Sequence, residues 1–142
     1  ETGTYTVSDR VLRAVQAEFS CGFCTDAQGA QTIGKTFRES RYLLDTHTAV
    51  ACTVLGAYRA ETGDQTLTVV ESTASPFKFC ASVLDALGVT EHAPGTGVLG
   101  QLTAETGRPA PTPLASLAGK PVRFDQVTDR GDMRAVVTEF LR

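Results

Sequence analysis

The chain has 142 residues, of which 42% are hydrophobic, and a formal net charge of -3 from 13 Lys and Arg against 16 Asp and Glu. That length fills one ordinary domain with an adequate core, and an acidic balance without any basic block argues against nucleic acid as a partner. No stretch approaches the roughly 20 apolar residues of a bilayer span, and the N-terminus has neither a basic nor an apolar leader region, so no membrane partner is expected.

Val11, Leu12, Val15 and Phe19 recur at three- and four-residue steps behind a capping Ser8, which predicts an amphipathic helix over residues 8–20. Cys21-Gly22-Phe23-Cys24 follows it. A zinc site would need two further paired ligands, and a redox pair opens a helix after a strand, so these cysteines read as ordinary thiols. Cys52 and Cys80 stand among apolar residues as small core side chains, and the cysteine usage as a whole suits a reducing cytoplasm. A second helix is expected from about Asp26 to Arg41, with Ile33 and Phe37 four residues apart.

Asp45 can cap the clearest helix, in which His47, Val50, Ala51, Val54 and Tyr58 share one face until Gly63 stops it. Thr66-Leu67-Thr68-Val69-Val70-Glu71-Ser72 is rich in β-branched residues and predicts a strand, its Leu67 to Val70 run resembling one buried on both faces. Ser75-Pro76 is a helix start, and Phe77, Cys80, Val83, Leu84 and Leu87 continue that helix to Gly88. Residues 89–121, with five prolines and several glycines around a short helix near Val98 to Ala104, read as a surface excursion and not a second domain. Val122 to Val127 alternates with period two, as a half-buried strand does, and a last helix is expected from Asp129 to Leu141 burying Met133, Val136, Val137 and Phe140. Two strands form a poorly covered sheet by themselves, and the chain opens at Glu1 without methionine, so neighbours from an upstream segment are expected.

Chemistry concentrates at two places. Ser72-Thr73-Ala74-Ser75-Pro76-Phe77-Lys78-Phe79 lies where a strand would meet a helix N-terminus, the usual position for ligands in α/β sheets. Lys78 in the first helical turn is electrostatically unfavourable unless an anion compensates, although a solvated lysine is the plainer reading. Asp45 and His47 form the second place, a capping carboxylate beside an imidazole at a helix start. His92 has no partner in sequence. Gly95 to Gly100 imitates a dinucleotide fingerprint without a preceding strand or an acidic ribose partner, and Arg130-Gly131-Asp132 stands at a helix start; neither is assigned a function.

From the residues alone, an α/β fragment with an anion site is as far as the reading goes. Tyr42-Leu43-Leu44-Asp45-Thr46-His47-Thr48-Ala49-Val50-Ala51, however, resembles the threonine synthase segment Y-L-x-D-P-H-T-A-V-A, and Ser72 to Phe79 resembles that family's S-T-A-S/H-P-x-K-F loop. Their order and separation fit, and the flanks, from Tyr5 to Asp9 and from Lys120 to Arg123, agree more loosely. Thr46 departs from the family's proline, a first-turn position where threonine is tolerated.

The resemblance implies the C-terminal segment of a pyridoxal-phosphate-dependent lyase that converts O-phospho-L-homoserine and water to L-threonine and phosphate. It implies an α/β fold of the tryptophan-synthase-β type (fold type II), of which this helix-rich fragment would carry one or two strands of the open sheet. The lysine that holds the cofactor covalently lies far upstream in the family and is none of Lys35, Lys78 and Lys120. Carried over by motif, Thr73 faces the cofactor's pyridine nitrogen, while Ser72 and Ala74 shape that wall. Lys78, His47 and Asp45 are near the site, without an assigned step. No catalytic residue and no metal ligand is implied in this segment. The implied partners are the upstream part of the enzyme and the substrate, and the implied location is the cytoplasm. A stand-alone anion- or metabolite-binding module and a non-catalytic structural or regulatory domain are the alternatives.

Overall fold

The computed structural model describes residues 3–142. Seven α-helices follow one another in the described chain: α1 (Asp9–Glu18), α2 (Asp26–Ser40), α3 (Thr46–Thr62), α4 (Cys80–Ala86), α5 (Gly97–Thr106), α6 (Thr112–Ala115) and α7 (Met133–Phe140). Short 3-10 turns precede α4 at Pro76–Lys78, follow α6 at Ser116–Gly119 and precede α7 at Arg130–Asp132.

Local chemistry sets the helix boundaries. Ser8 accepts from the Val11 amide at the start of α1. Thr25 and Gln28 form a reciprocal capping box at the start of α2, each side chain accepting the other's backbone amide. Helix α2 ends on Arg41 in the left-handed conformation, its guanidinium 4.1 Å from the Phe37 ring. Asp45 caps α3, and Gly63, at φ +72°, supplies the left-handed residue that ends it.

Helix α2 packs on α3 and α4, and α4 packs on α5. Ile33, Leu44, Ala49, Phe77, Cys80, Val83, Leu84 and Leu102 make the buried cluster between them. Gly34 is where α2 closes on the end of α4, since a Cβ there would stand 2.6 Å from the Ala86 carbonyl oxygen. The 89–121 stretch contributes α5, whose Leu102 is wholly buried. Arg108 ties this stretch back by donating to the Arg41 carbonyl at 2.8 Å.

The expectation of one or two sheet strands is overturned: among the described residues there is no strand. Residues 66–72 form no regular element and lie beside α3, with Leu67 94% and Val69 86% exposed. Arg59 holds that segment by donating to the Thr66 carbonyl and the Thr68 hydroxyl at 3.0 and 3.2 Å. Val122 to Val127 is likewise unpaired, with Val122, Phe124 and Val127 exposed. A β-rich sequence becomes a strand only against a second ladder of backbone donors and acceptors, and neither segment meets one here.

Two further corrections concern burial. The last helix forms, but Met133, Val137 and Phe140 are exposed and Val136 is only half-buried, since no residue of α7 belongs to the buried cluster. The apolar stripe of α1 is also uncovered, with Phe19 73% exposed. Ser75-Pro76 does start helical structure, yet as a 3-10 turn, and regular α-helix begins only at Cys80. Among the described residues no helix is long and apolar enough to cross a membrane.

Candidate functional site

The Asp45 carboxylate stands at the point where the two sequence motifs meet. Asp45 is N-terminal to α3 in extended conformation, so its side chain folds over the first turn and Oδ1 accepts from the amides of His47 and Thr48 at 2.9 and 3.3 Å. Oδ2 accepts from the Thr48 hydroxyl and, at 3.5 Å, from the Ser72 hydroxyl. The Thr48 and Ser72 hydroxyl oxygens lie 3.1 Å apart. Ser72 belongs to the loop that carries Thr73, and Thr48 to the helix that carries His47. The network therefore fastens the Ser72 to Phe79 loop to the N-terminus of α3.

Asp45 is 1% exposed and remains a carboxylate there. Burial pushes its pKa up, the largest single influence, but the hydrogen bonds from the Thr48 hydroxyl, the His47 and Thr48 amides and the His47 ring together hold it below the ordinary aspartate value. Its charge is felt nearby. Burial pushes the Cys52 thiol up, and the Asp45 charge adds to that. Burial does the same to Cys80.

His47 Nδ1 lies 3.3 Å from Asp45 Oδ1 and 3.3 Å from the Thr46 hydroxyl. Its ring sits 5.0 Å, centroid to centroid, from that of Phe79, at an interplanar angle of 55°. The 3-10 turn at Pro76–Lys78 delivers Phe79 to that position, so the second motif contacts the first a second time. The His47 side chain is 62% exposed and borders an open cleft of about 780 Å³.

The face of α3 carrying His47, Ala51, Val54 and Tyr58 forms one wall of that cleft, residues 68–71 and Thr73 another, and Ser20 to Phe23 its rim. That stripe, which reads as a core face in sequence, is thus a cleft face; α3 meets the core through Thr48 and Ala49 instead. The volume falls in the range of small-molecule sites. Thr73 lines the cleft, and among the described residues its hydroxyl makes no hydrogen bond.

The sequence-predicted residues separate into three groups. His47 and Thr73 share the cleft lining. Asp45 and Ser72 lie behind it in the hydrogen-bond network, and Ala74 is half-buried in the loop. Lys78 is exposed at the end of the 3-10 turn and is not among the lining residues, as neither Lys35 nor Lys120 is. Sequence reasoning missed Thr48, the hydroxyl that bridges the two motifs. Its signal was available: a threonine three residues after a capping aspartate can return a bond to the cap. The Cys21 rim of the cleft had no such signal. All four cysteines are free thiols.

The second motif and α3 from Thr48 onward fall within a match to known proteins. A family profile described as "Threonine synthase, C-terminal" matches residues 48–138, more than half of the chain. The chain belongs to the threonine synthase C-terminal family. Its relatives include "Threonine synthase-like 1" of Homo sapiens, 28% identical over 87 residues, which are 61% of this chain and 11% of that protein. The Mus musculus protein of the same name is 33% identical over 82 residues, 57% of this chain and 10% of that protein. The match thus spans about a tenth of the length of these relatives. Within the threonine synthase match lie α3 from its first buried residue, the whole Thr73 loop, the core helices α4 and α5, and most of α7.

Proposed function

We propose that this chain is the C-terminal segment of a threonine synthase that converts O-phospho-L-homoserine and water to L-threonine and phosphate with pyridoxal phosphate. The observation that carries the reading is the Asp45–Thr48–Ser72 network, which brings the family's two motifs to adjoining walls of one cleft, where among the described residues the Thr73 hydroxyl makes no hydrogen bond.

The residues present fit the ring end of the cofactor. A hydroxyl can donate to a pyridine nitrogen, Thr73 has one without a partner among the described residues, and the cleft is large enough for a cofactor-sized molecule. When bound, pyridoxal phosphate supplies the electron sink for the chemistry at the substrate's carbon atoms. In this proposal Thr73 orients the ring at its nitrogen, Ser72 fixes the loop that carries Thr73, and Ala74 completes the wall. A neutral hydroxyl partner holds less positive charge on that nitrogen than an aspartate would.

No lysine of this chain borders the cleft, which supports a covalent lysine supplied by an upstream part of the same protein. The uncovered apolar faces of α1, residues 67–69 and α7 support the same partner, because exposed apolar surface of that extent marks an interaction site. The test is to reconstitute the complete protein with pyridoxal phosphate and follow phosphate release and threonine formation from O-phosphohomoserine. Absence of both products from folded, cofactor-loaded protein would exclude the proposal and favour a non-catalytic role.

A further inference from the structure

We propose that His47 is the proton-carrying group of this cleft, with buried Asp45 as the positioning residue that fixes its ring and leaves Nε2 for the bound substrate or a water beside it. The inference rests on the threonine synthase reading and goes beyond it by assigning a role to a residue outside the cofactor wall. It starts from geometry. Nδ1 stands 3.3 Å from Asp45 Oδ1, and among the described residues Nε2 has no hydrogen-bond partner. A carboxylate accepts only, so the bond to Asp45 assigns the neutral ring's proton to Nδ1, with the Thr46 hydroxyl, also 3.3 Å from that nitrogen, accepting beside it, and Nε2 is then the basic nitrogen.

The carboxylate is itself rigid. The Asp45 side chain is wholly buried, and its two oxygens accept from two amides and two hydroxyls. The Phe79 ring limits the imidazole on another side. An imidazole oriented by a buried carboxylate and bordering a small-molecule cleft is the arrangement general acid–base catalysis requires.

The other titratable groups around the cleft are less suited. Tyr58 is already committed to Asp64 Oδ2 at 3.2 Å. Cys21, Glu61 and Glu71 are exposed on the cleft wall without a buried group to orient them. In the assigned step one water O–H bond breaks and an Nε2–H bond forms, while the oxygen's electron pair makes the new bond to one carbon of a substrate C=C and the displaced π pair moves to the neighbouring carbon, which takes up a proton in turn. The imidazolium is balanced by the Asp45 carboxylate, and returning the proton to product or solvent restores the neutral ring.

Two measurements test this. In the 142-residue chain, two-bond ¹H–¹⁵N spectra of the imidazole at alkaline pH are expected to show the proton on Nδ1, and Asp45→Asn, which retains a capping side chain, is expected to mix the tautomers. In the complete cofactor-loaded protein, His47→Gln is expected to lower kcat by about 10²- to 10⁴-fold with KM little changed and to abolish the acid limb of the kcat profile. Asp45→Asn is expected to lower kcat by about 10- to 100-fold and to move that limb. A wild-type ring protonated on Nε2, or His47→Gln protein with wild-type kcat and acid limb, overturns the assignment while leaving the threonine synthase reading intact. A wild-type protein without turnover overturns both.

Discussion

Replacing Asp45 with alanine removes the acceptor on which the junction of the two motifs depends. The substitution strips the His47 and Thr48 amides of their cap, which costs about 0.5–2 kcal/mol. It also leaves the buried Thr48 hydroxyl without its carboxylate, a further loss of about 1–3 kcal/mol that Ser72 offsets in part because its oxygen is 3.1 Å away. With that offset the expected sum is about 1–4 kcal/mol at pH 7. Asparagine keeps an accepting oxygen at the same place, so Asp45→Asn is expected to cost about half as much. A pH dependence follows from the depressed pKa. The folded-state value lies below the unfolded one of about 4, so the charge contributes its full stability above the unfolded value and loses it as pH falls through the lower, folded value. Urea unfolding followed by circular dichroism at 222 nm, at pH 7 and pH 3, measures all of this. The wild type's advantage over Asp45→Ala should be smaller at the acid pH than at pH 7. A loss below about 0.5 kcal/mol at pH 7, or an Asn variant as damaged as the Ala variant, would refute the argument that this carboxylate organises the junction.

In the complete protein, Thr73→Val keeps the side-chain shape but removes the hydroxyl, and about 1–3 kcal/mol of lost stabilisation is expected mainly in kcat, with Thr73→Ser milder; steady-state kinetics paired with melting temperatures separate this from a packing defect. The 142-residue chain alone is expected to release no phosphate from O-phosphohomoserine above a heat-treated control, since no lysine borders the cleft. Gly34→Ala should destabilise by about 1–3 kcal/mol because its Cβ would meet the Ala86 carbonyl at 2.6 Å. Gly56→Ala, in open space on α3, should instead stabilise by about 0.5–1 kcal/mol, and the opposite signs are read from the same denaturation curves. Thiol labelling with Ellman's reagent should modify exposed Cys21 first and buried Cys80 last, the Cys80 thiol being also pushed up by burial; equal rates in the folded chain would contradict the packing of α4.

Much of this protein is legible in its sequence because the signals are local. Ser8 before α1, Asp45 before α3 and Gly63 after it act within one helical turn, and the structure puts the boundaries where these residues do. The two family motifs are legible for a similar reason: each is a continuous run whose residue types carry the resemblance. What the sequence could not decide depends on what lies across space. Val69 and Val70 have the composition of a strand, but a strand exists only with a partner ladder, and in this chain that segment lies unpaired beside α3. Periodicity marked an apolar stripe on α7 without saying what would cover it, and in the fold nothing of the core does. It likewise marked the His47–Tyr58 face of α3 without distinguishing a core face from a cleft face. Only the tertiary structure decided that, by packing α2 against α3 with Ala49 in the buried cluster, and by binding Ser72, 27 residues away in sequence, to the carboxylate of Asp45.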